Sequence, residues 1–162
     1  MELERIKLKI INALNKFYSN DYILLKEKLC ERCLVHRIAI YLEQEKFPEY
    51  FIDCEYNKSH LNQTSITKNV INKNGNYIDI IITKRDNNPK NDLVCFEVKR
   101  WNNYNGRPND RDKLKELTKG DKFGYDYGFY IILNNCKDKT IIEVYSKGEQ
   151  VEIFRLGKAN EV

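Results

Sequence analysis

Asp79 and the triplet Glu97-Val98-Lys99 place chemically capable side chains inside two runs that are otherwise apolar. Tyr77 to Thr83 reads YIDIIIT, and Leu93 to Lys99 reads LVCFEVK. Both runs are rich in β-branched residues, and the intervening Arg85-Asp86-Asn87-Asn88-Pro89 is turn-forming, so the stretch predicts two antiparallel strands. Side chains alternate along a strand, which puts Asp79 on a face with Tyr77 and Ile81, and Glu97 and Lys99 on a face with Leu93 and Cys95. Two acids and a lysine can then converge. Carboxylate oxygens suit a hard divalent cation such as Mg²⁺, which keeps several waters, and such a water can attack a phosphodiester. The Lys99 ammonium would orient or help deprotonate that nucleophile, or stabilise the charge building on the phosphate.

The elements that must position these groups are legible in outline. Leu3, Ile6, Ile10, Leu14 and Phe17 recur at helical spacing and predict an amphipathic helix over 3–18, ended by Ser19-Asn20-Asp21. A longer helix is expected from about Lys26 to Glu45, closed by Phe47-Pro48. On it Glu31, Val35, Ile38 and Leu42 fall along one stripe, so Glu31 points where the apolar face points, unless it is an acid favoured by the helix dipole and turned to solvent. Arg37, one residue beyond His36, is either a phosphate clamp or the partner of an acid. With only His36 and His60 in the chain, a histidine-metal nuclease is hard to build. Phe51 to Tyr56 alternates as a strand, and Glu55 on it either reaches the edge of the site or faces water.

Residues 58–76 are polar and rich in Asn, Lys, Ser and Thr, and read as a long loop that folds over a ligand or is a tolerated insertion. Arg100, Trp101 and Arg107 belong to a basic, aromatic loop leaving the second acid-bearing strand, suited to stacking on bases or gripping phosphates, or else to covering the sheet edge. Asn109-Asp110 offers an N-cap for a short helix over 111–119 that Gly120 ends. Gly128 to Leu133 is a continuous apolar run expected in the middle of a sheet, and Thr140 to Tyr145 and Val151 to Leu156 extend it around a turn at Lys147-Gly148.

A chain of 162 residues, 41% hydrophobic, has room for one domain with a real core, taken as residues 1–162. Its 28 Lys and Arg against 24 Asp and Glu permit nucleic-acid binding without demanding it. There is no signal-peptide core and no stretch near the roughly 20 apolar residues of a membrane span, so a cytoplasmic protein away from membranes is expected. Five cysteines predict reduced thiols, and the lone Cys30-x-x-Cys33 is read as ordinary packed thiols in preference to a metal or redox pair. Nothing resembles an internal repeat, a P-loop or a dinucleotide fingerprint.

Asp79 followed by Glu97-Val98-Lys99 resembles the PD-(D/E)XK nuclease superfamily, the restriction-endonuclease-like fold group. The likeness extends to Glu31 to Arg37, Phe47-Pro48, Asp53 to Asn57, Asp110 with Lys113-Leu114, and Tyr125 to Phe129, and is to a group of small uncharacterised bacterial members. Ile78 stands where the name-giving proline usually precedes the metal-binding acid. The resemblance implies an α/β fold with an αβββαβ core, a central mixed sheet flanked by helices, here with an extra N-terminal helix and extra C-terminal strands. It implies a Mg²⁺-dependent nuclease, with Mn²⁺ as substitute, foremost a DNA endonuclease that acts as a homodimer if both strands are cut. Asp79, Glu97, the Val98 carbonyl and Glu31 would hold metal or its water, Lys99 would act on the nucleophile, and Lys113 would reach the site from the following helix. Arg37, Arg100, Trp101 and Arg107 are the expected nucleic-acid contacts. The alternatives are a non-catalytic nucleic-acid-binding module of a defence or repair complex, and a structure-specific or RNA-directed nuclease.

Overall fold

The computed structural model describes residues 1–56, 77–86, 92–103, 107–120 and 124–158. Three helices come first, α1 (Leu3–Asn20), the short α2 (Tyr22–Lys26) and α3 (Glu31–Gln44). Strands β1 (Phe51–Tyr56), β2 (Ile78–Thr83) and β3 (Asp92–Arg100) follow, then α4 (Arg107–Thr118) and strands β4 (Tyr127–Leu133), β5 (Ile141–Ser146) and β6 (Glu149–Arg155). The six strands form one mixed sheet in chain order. Every neighbouring pair is antiparallel except β3 and β4, which run parallel with α4 as their crossover.

Apolar side chains line both faces of the sheet. Ile6, Ile10, Leu14 and Phe17 of α1 join Leu34, Ile38 and Leu42 of α3 in one cluster with Ile80, Ile82, Phe96, Val98, Phe129 and Ile131. Leu114 and Leu117 of α4 form a second cluster with Ile81, Cys95, Tyr130, Ile132 and Tyr145. The protein is thus an α/β structure with helices packed on both faces of a mixed sheet, and β3 and β4 are buried over nearly their whole length. Among the described residues no helix is long and apolar enough to cross a membrane.

Three features hold α4 against the sheet. Gly128 leaves space that a β-carbon would take: one built there would stand 3.2 Å from both Leu114 Cδ2 and Thr118 Cγ2. The Arg111 guanidinium donates two hydrogen bonds, of 2.8 and 2.6 Å, to the carboxylate of the buried Glu143 on β5, which also accepts one of 2.7 Å from the Tyr145 hydroxyl. The amide of Gly148, in the left-handed turn that Lys147 and Gly148 make between β5 and β6, donates to Thr118 Oγ1 at 3.3 Å. The C-terminal strands therefore extend the sheet and also anchor the helix that faces the acid-bearing strands.

Several expectations need correction. The helix foreseen from Lys26 is interrupted: Lys28 takes a φ of 55°, and α3 starts at Glu31. Buried Arg100 donates at the interruption to the carbonyls of Leu29 and of Leu24 (3.3 Å), the latter also accepting from the Leu29 amide at 3.1 Å. α4 begins at Arg107, with Pro108 in its first turn, so Asp110 lies inside the helix and is not its N-cap. A register shift between β2 and β3 sets Asp92 opposite Thr83, and Leu93 packs with the α1 and α3 cluster, away from Cys95. The loop foreseen over 58–76 lies outside the described residues.

Candidate functional site

Residue pairs in the β2–β3 ladder run from Ile80 with Phe96 to Ile82 with Val94, so continuing the register sets Asp79 opposite Glu97. Asp79 Oδ2 accepts a 2.8 Å hydrogen bond from the Val98 amide. Glu97 is 2% exposed and forms an ion pair with Lys113 of α4, itself 4% exposed. The Lys113 ammonium also donates to the Tyr77 carbonyl at 2.9 Å. Two residues along the strand, the Lys99 ammonium lies 3.3 Å from Glu31 Oε2 and 3.7 Å from Asp110 Oδ2. Asn103 donates to the other oxygen of Glu31.

These groups meet in a cleft of about 330 Å³ lined by residues of α3, β1, β2, β3 and α4. The expected set of Glu31, Asp79, Glu97, Lys99 and Lys113 is brought together there, and Glu55 joins it. The β1–β2 ladder skips Glu55, whose φ is 52°, and its carboxylate lies 2.8 Å from the exposed guanidinium of Arg32. Carboxylates in the lining outnumber cationic side chains by five to three.

Burial governs the protonation of the acids. It raises Asp79 above the usual carboxylate range, against the Val98 hydrogen bond and the charges of Lys99 and Lys113. It drives Glu97 well up, aided by the charge of Asp79 and opposed by Lys113. It also raises Asp110, with Lys99 and Lys113 opposing. Burial alone would lower Lys99, but Asp79, Asp110, Glu31 and Glu97 outweigh it and hold the ammonium firmly charged. An ammonium held in this way can donate hydrogen bonds to an anionic oxygen and is not poised to take a proton.

The donor set fits a hard cation in kind. It is all oxygen, and buried Asp110 Oδ2 has no hydrogen-bond partner among the described residues. No three His, Cys, Asp or Glu side chains among those residues stand together as a ready-made metal site. The Lys113 ammonium occupies Glu97, and the Lys99 ammonium sits between Glu31 and Asp110.

Other expected residues lie elsewhere. Arg37 is held by Asp21 at 2.7 Å and lies 3.2 Å from the Tyr41 hydroxyl, the structural ion pair that was the alternative to a phosphate clamp. Arg100, at 8% exposed, donates to the carbonyls of Leu24 and Leu29. Trp101 is 41% exposed and lines a separate cavity of about 350 Å³ with Leu25, Lys28, Arg100, Asn102 and Asn135. Arg107 opens α4, and its side chain lies outside the described residues. Asp110, named in the sequence as an N-cap and within the resemblance, was given no role in the site, and neither was Asn103. Asp110 sits three residues before Lys113, a spacing that puts both on one helical face, and this signal was masked by its resemblance to a cap. Asn103 carries no pattern at all.

Comparisons of the chain with protein-family models, with curated proteins and with solved structures find no match.

Proposed function

We propose that the protein is a divalent-cation-dependent phosphodiesterase acting on nucleic acid, a DNA endonuclease of the restriction-endonuclease-like PD-(D/E)XK type. The observation that carries this reading is the cleft itself: acids from α3, β2 and β3 and lysines from β3 and α4 meet at one point of the sheet. The order helix, three strands, helix, strand supports it as well.

In this reading Asp79, Glu97, the Val98 carbonyl and Glu31 would hold Mg²⁺, or Mn²⁺ in its place. The cation, when bound, supplies charge neutralisation and Lewis acidity to the phosphodiester. Lys113 balances the charge of Glu97 and would donate to substrate oxygens at the edge of the cleft. Lys99 stays an ammonium and stabilises charge on the phosphoryl oxygens in the transition state. Asp110 holds Lys99 in place, and Asn103 fixes the orientation of the Glu31 carboxylate. Cutting both strands of a duplex would call for two copies of the chain.

Pairing of Glu97 with Lys113 also favours a second reading, a nucleic-acid-binding accessory module whose acids are already neutralised. Incubation of supercoiled plasmid, linear duplex, single-stranded DNA and RNA with the protein in Mg²⁺, Mn²⁺ or EDTA separates the two. Cation-dependent cutting of DNA is expected, abolished in Asp79→Ala and reduced about 10- to 100-fold in Asp110→Asn. Binding of nucleic acid without cutting, and with no heat of cation binding, would establish the accessory module instead.

A further inference from the structure

Cys30 and Cys33 were expected to be packed thiols, yet both are exposed. They flank the start of α3, Cys30 preceding its first residue, and the Cys33 amide donates a 3.0 Å hydrogen bond to the Cys30 carbonyl. Their sulfurs stand 3.1 Å apart. A disulfide has sulfurs about 2.05 Å apart, so an approach of roughly 1 Å, within reach of side-chain rotation, would join them. Packing does not explain two exposed thiols side by side. A structural zinc site takes four ligands, and no third His, Cys, Asp or Glu among the described residues joins the pair. The remaining exposed cysteines, Cys54 and Cys136, have no thiol beside them among the described residues.

We propose that Cys30 and Cys33 form a reversible dithiol–disulfide couple that exchanges with small-molecule disulfides and, when oxidised, locks the first turn of α3. One thiolate attacks a small disulfide RSSR, an S–S bond forms between the cysteine and one R group, and RS⁻ leaves. The second cysteine thiolate attacks the cysteine sulfur of that mixed disulfide, the protein S–S bond forms, and the second RS⁻ leaves. The leaving thiolates take up the two protons given up by the cysteines. Two electrons pass from the protein to RSSR, which becomes two RSH. The two residues between the cysteines are Glu31 and Arg32, both in the cleft, so the couple bears on the site. Its existence does not depend on the phosphodiesterase reading.

The test equilibrates the full chain with defined ratios of reduced and oxidised glutathione, blocks free thiols with a maleimide, and maps the peptides by mass. The expected product is a monomer with an internal bond between Cys30 and Cys33, reopened by excess reduced glutathione, with Cys54 and Cys136 still open to the maleimide. Cys33→Ser and Cys30→Ser, changes at exposed positions, should instead accumulate glutathione on the remaining cysteine of the pair. Hydrogen exchange of the amides at 31–33 should slow about tenfold or more on oxidation. The proposal is overturned if Cys30 and Cys33 take glutathione no differently from Cys54 and Cys136, if the bonds formed join separate molecules, or if exchange at 31–33 is unchanged in the oxidised protein.

Discussion

Glu97 and Lys113 are the most deeply buried charged pair of the cleft, and their separation has a sign that pH reveals. Removing one partner of a buried pair costs about 3–5 kcal/mol, because the other charge is stranded. In Lys113→Met the stranded group is Glu97, whose carboxyl burial already raises well above its ordinary value. A carboxyl of that kind is bound to its proton more firmly in the folded than in the unfolded chain, so the penalty grows as pH rises above the unfolded value and shrinks below it. Urea unfolding should show Lys113→Met losing about 3–5 kcal/mol at pH 8 and clearly less at pH 5. An equal loss at both would mean that Glu97 is not the stranded charge. Strand alternation made Asp79, Glu97 and Lys99 legible in the sequence, while Glu31 rested on the resemblance more than on its helical stripe. Asp110 was not, because Asn-Asp ahead of an apolar pattern has the composition of a cap whether or not the helix has already begun. The thiols misled for a related reason: cysteine is usually buried, but the first turn of this helix faces solvent.

At the scale of the elements, the position of α4 decides whether Asp110 and Lys113 reach the strands, and Gly128 sets how close that helix lies. Gly128→Val should push Leu114 and Thr118 outward, cost about 1–3 kcal/mol, and tighten cation binding by drawing Lys113 off Glu97. Calorimetric titration with Mn²⁺ beside thermal unfolding checks this; destabilisation with unaltered cation binding would show that α4 tolerates displacement. Strand and helix order could be read from the sequence because each element has a strong apolar period. The break before α3 could not. Residues Glu27 to Cys30 contain neither proline nor glycine, and the interruption is matched by Arg100, distant in sequence, whose guanidinium takes up the carbonyls of Leu24 and Leu29. The bulge at Leu93 is likewise a product of pairing with β2, which a single strand cannot announce.

For the whole molecule, the cleft is a destabilising feature that a ligand would relieve. Asp79 is raised by burial, so its contribution to stability falls as pH climbs from the unfolded carboxylate value through the higher folded one. Asp79→Asn keeps an oxygen for the Val98 amide and carries no charge. Its melting temperature should exceed that of wild type, by a margin that widens with pH over that interval. A divalent cation at about 100 times its Kd should return roughly 2.7 kcal/mol to wild type and little to the variant. Differential scanning calorimetry with and without Mg²⁺ measures both, and a variant that melts below wild type at neutral pH would sink the argument.

The parallel join between β3 and β4 has a consequence for the order of assembly. The β2–β3, β4–β5 and β5–β6 pairs close over short connections, whereas β3 and β4 are joined by a longer connection that carries α4. Long closures pay their entropy before any contact rewards them, so they come late. This ordering sets Asp79 and Glu97 opposite each other on the hairpin before Lys113 arrives to pair with Glu97. On this ordering the two acids come together before their balancing charge, and the lysine of α4 completes the site.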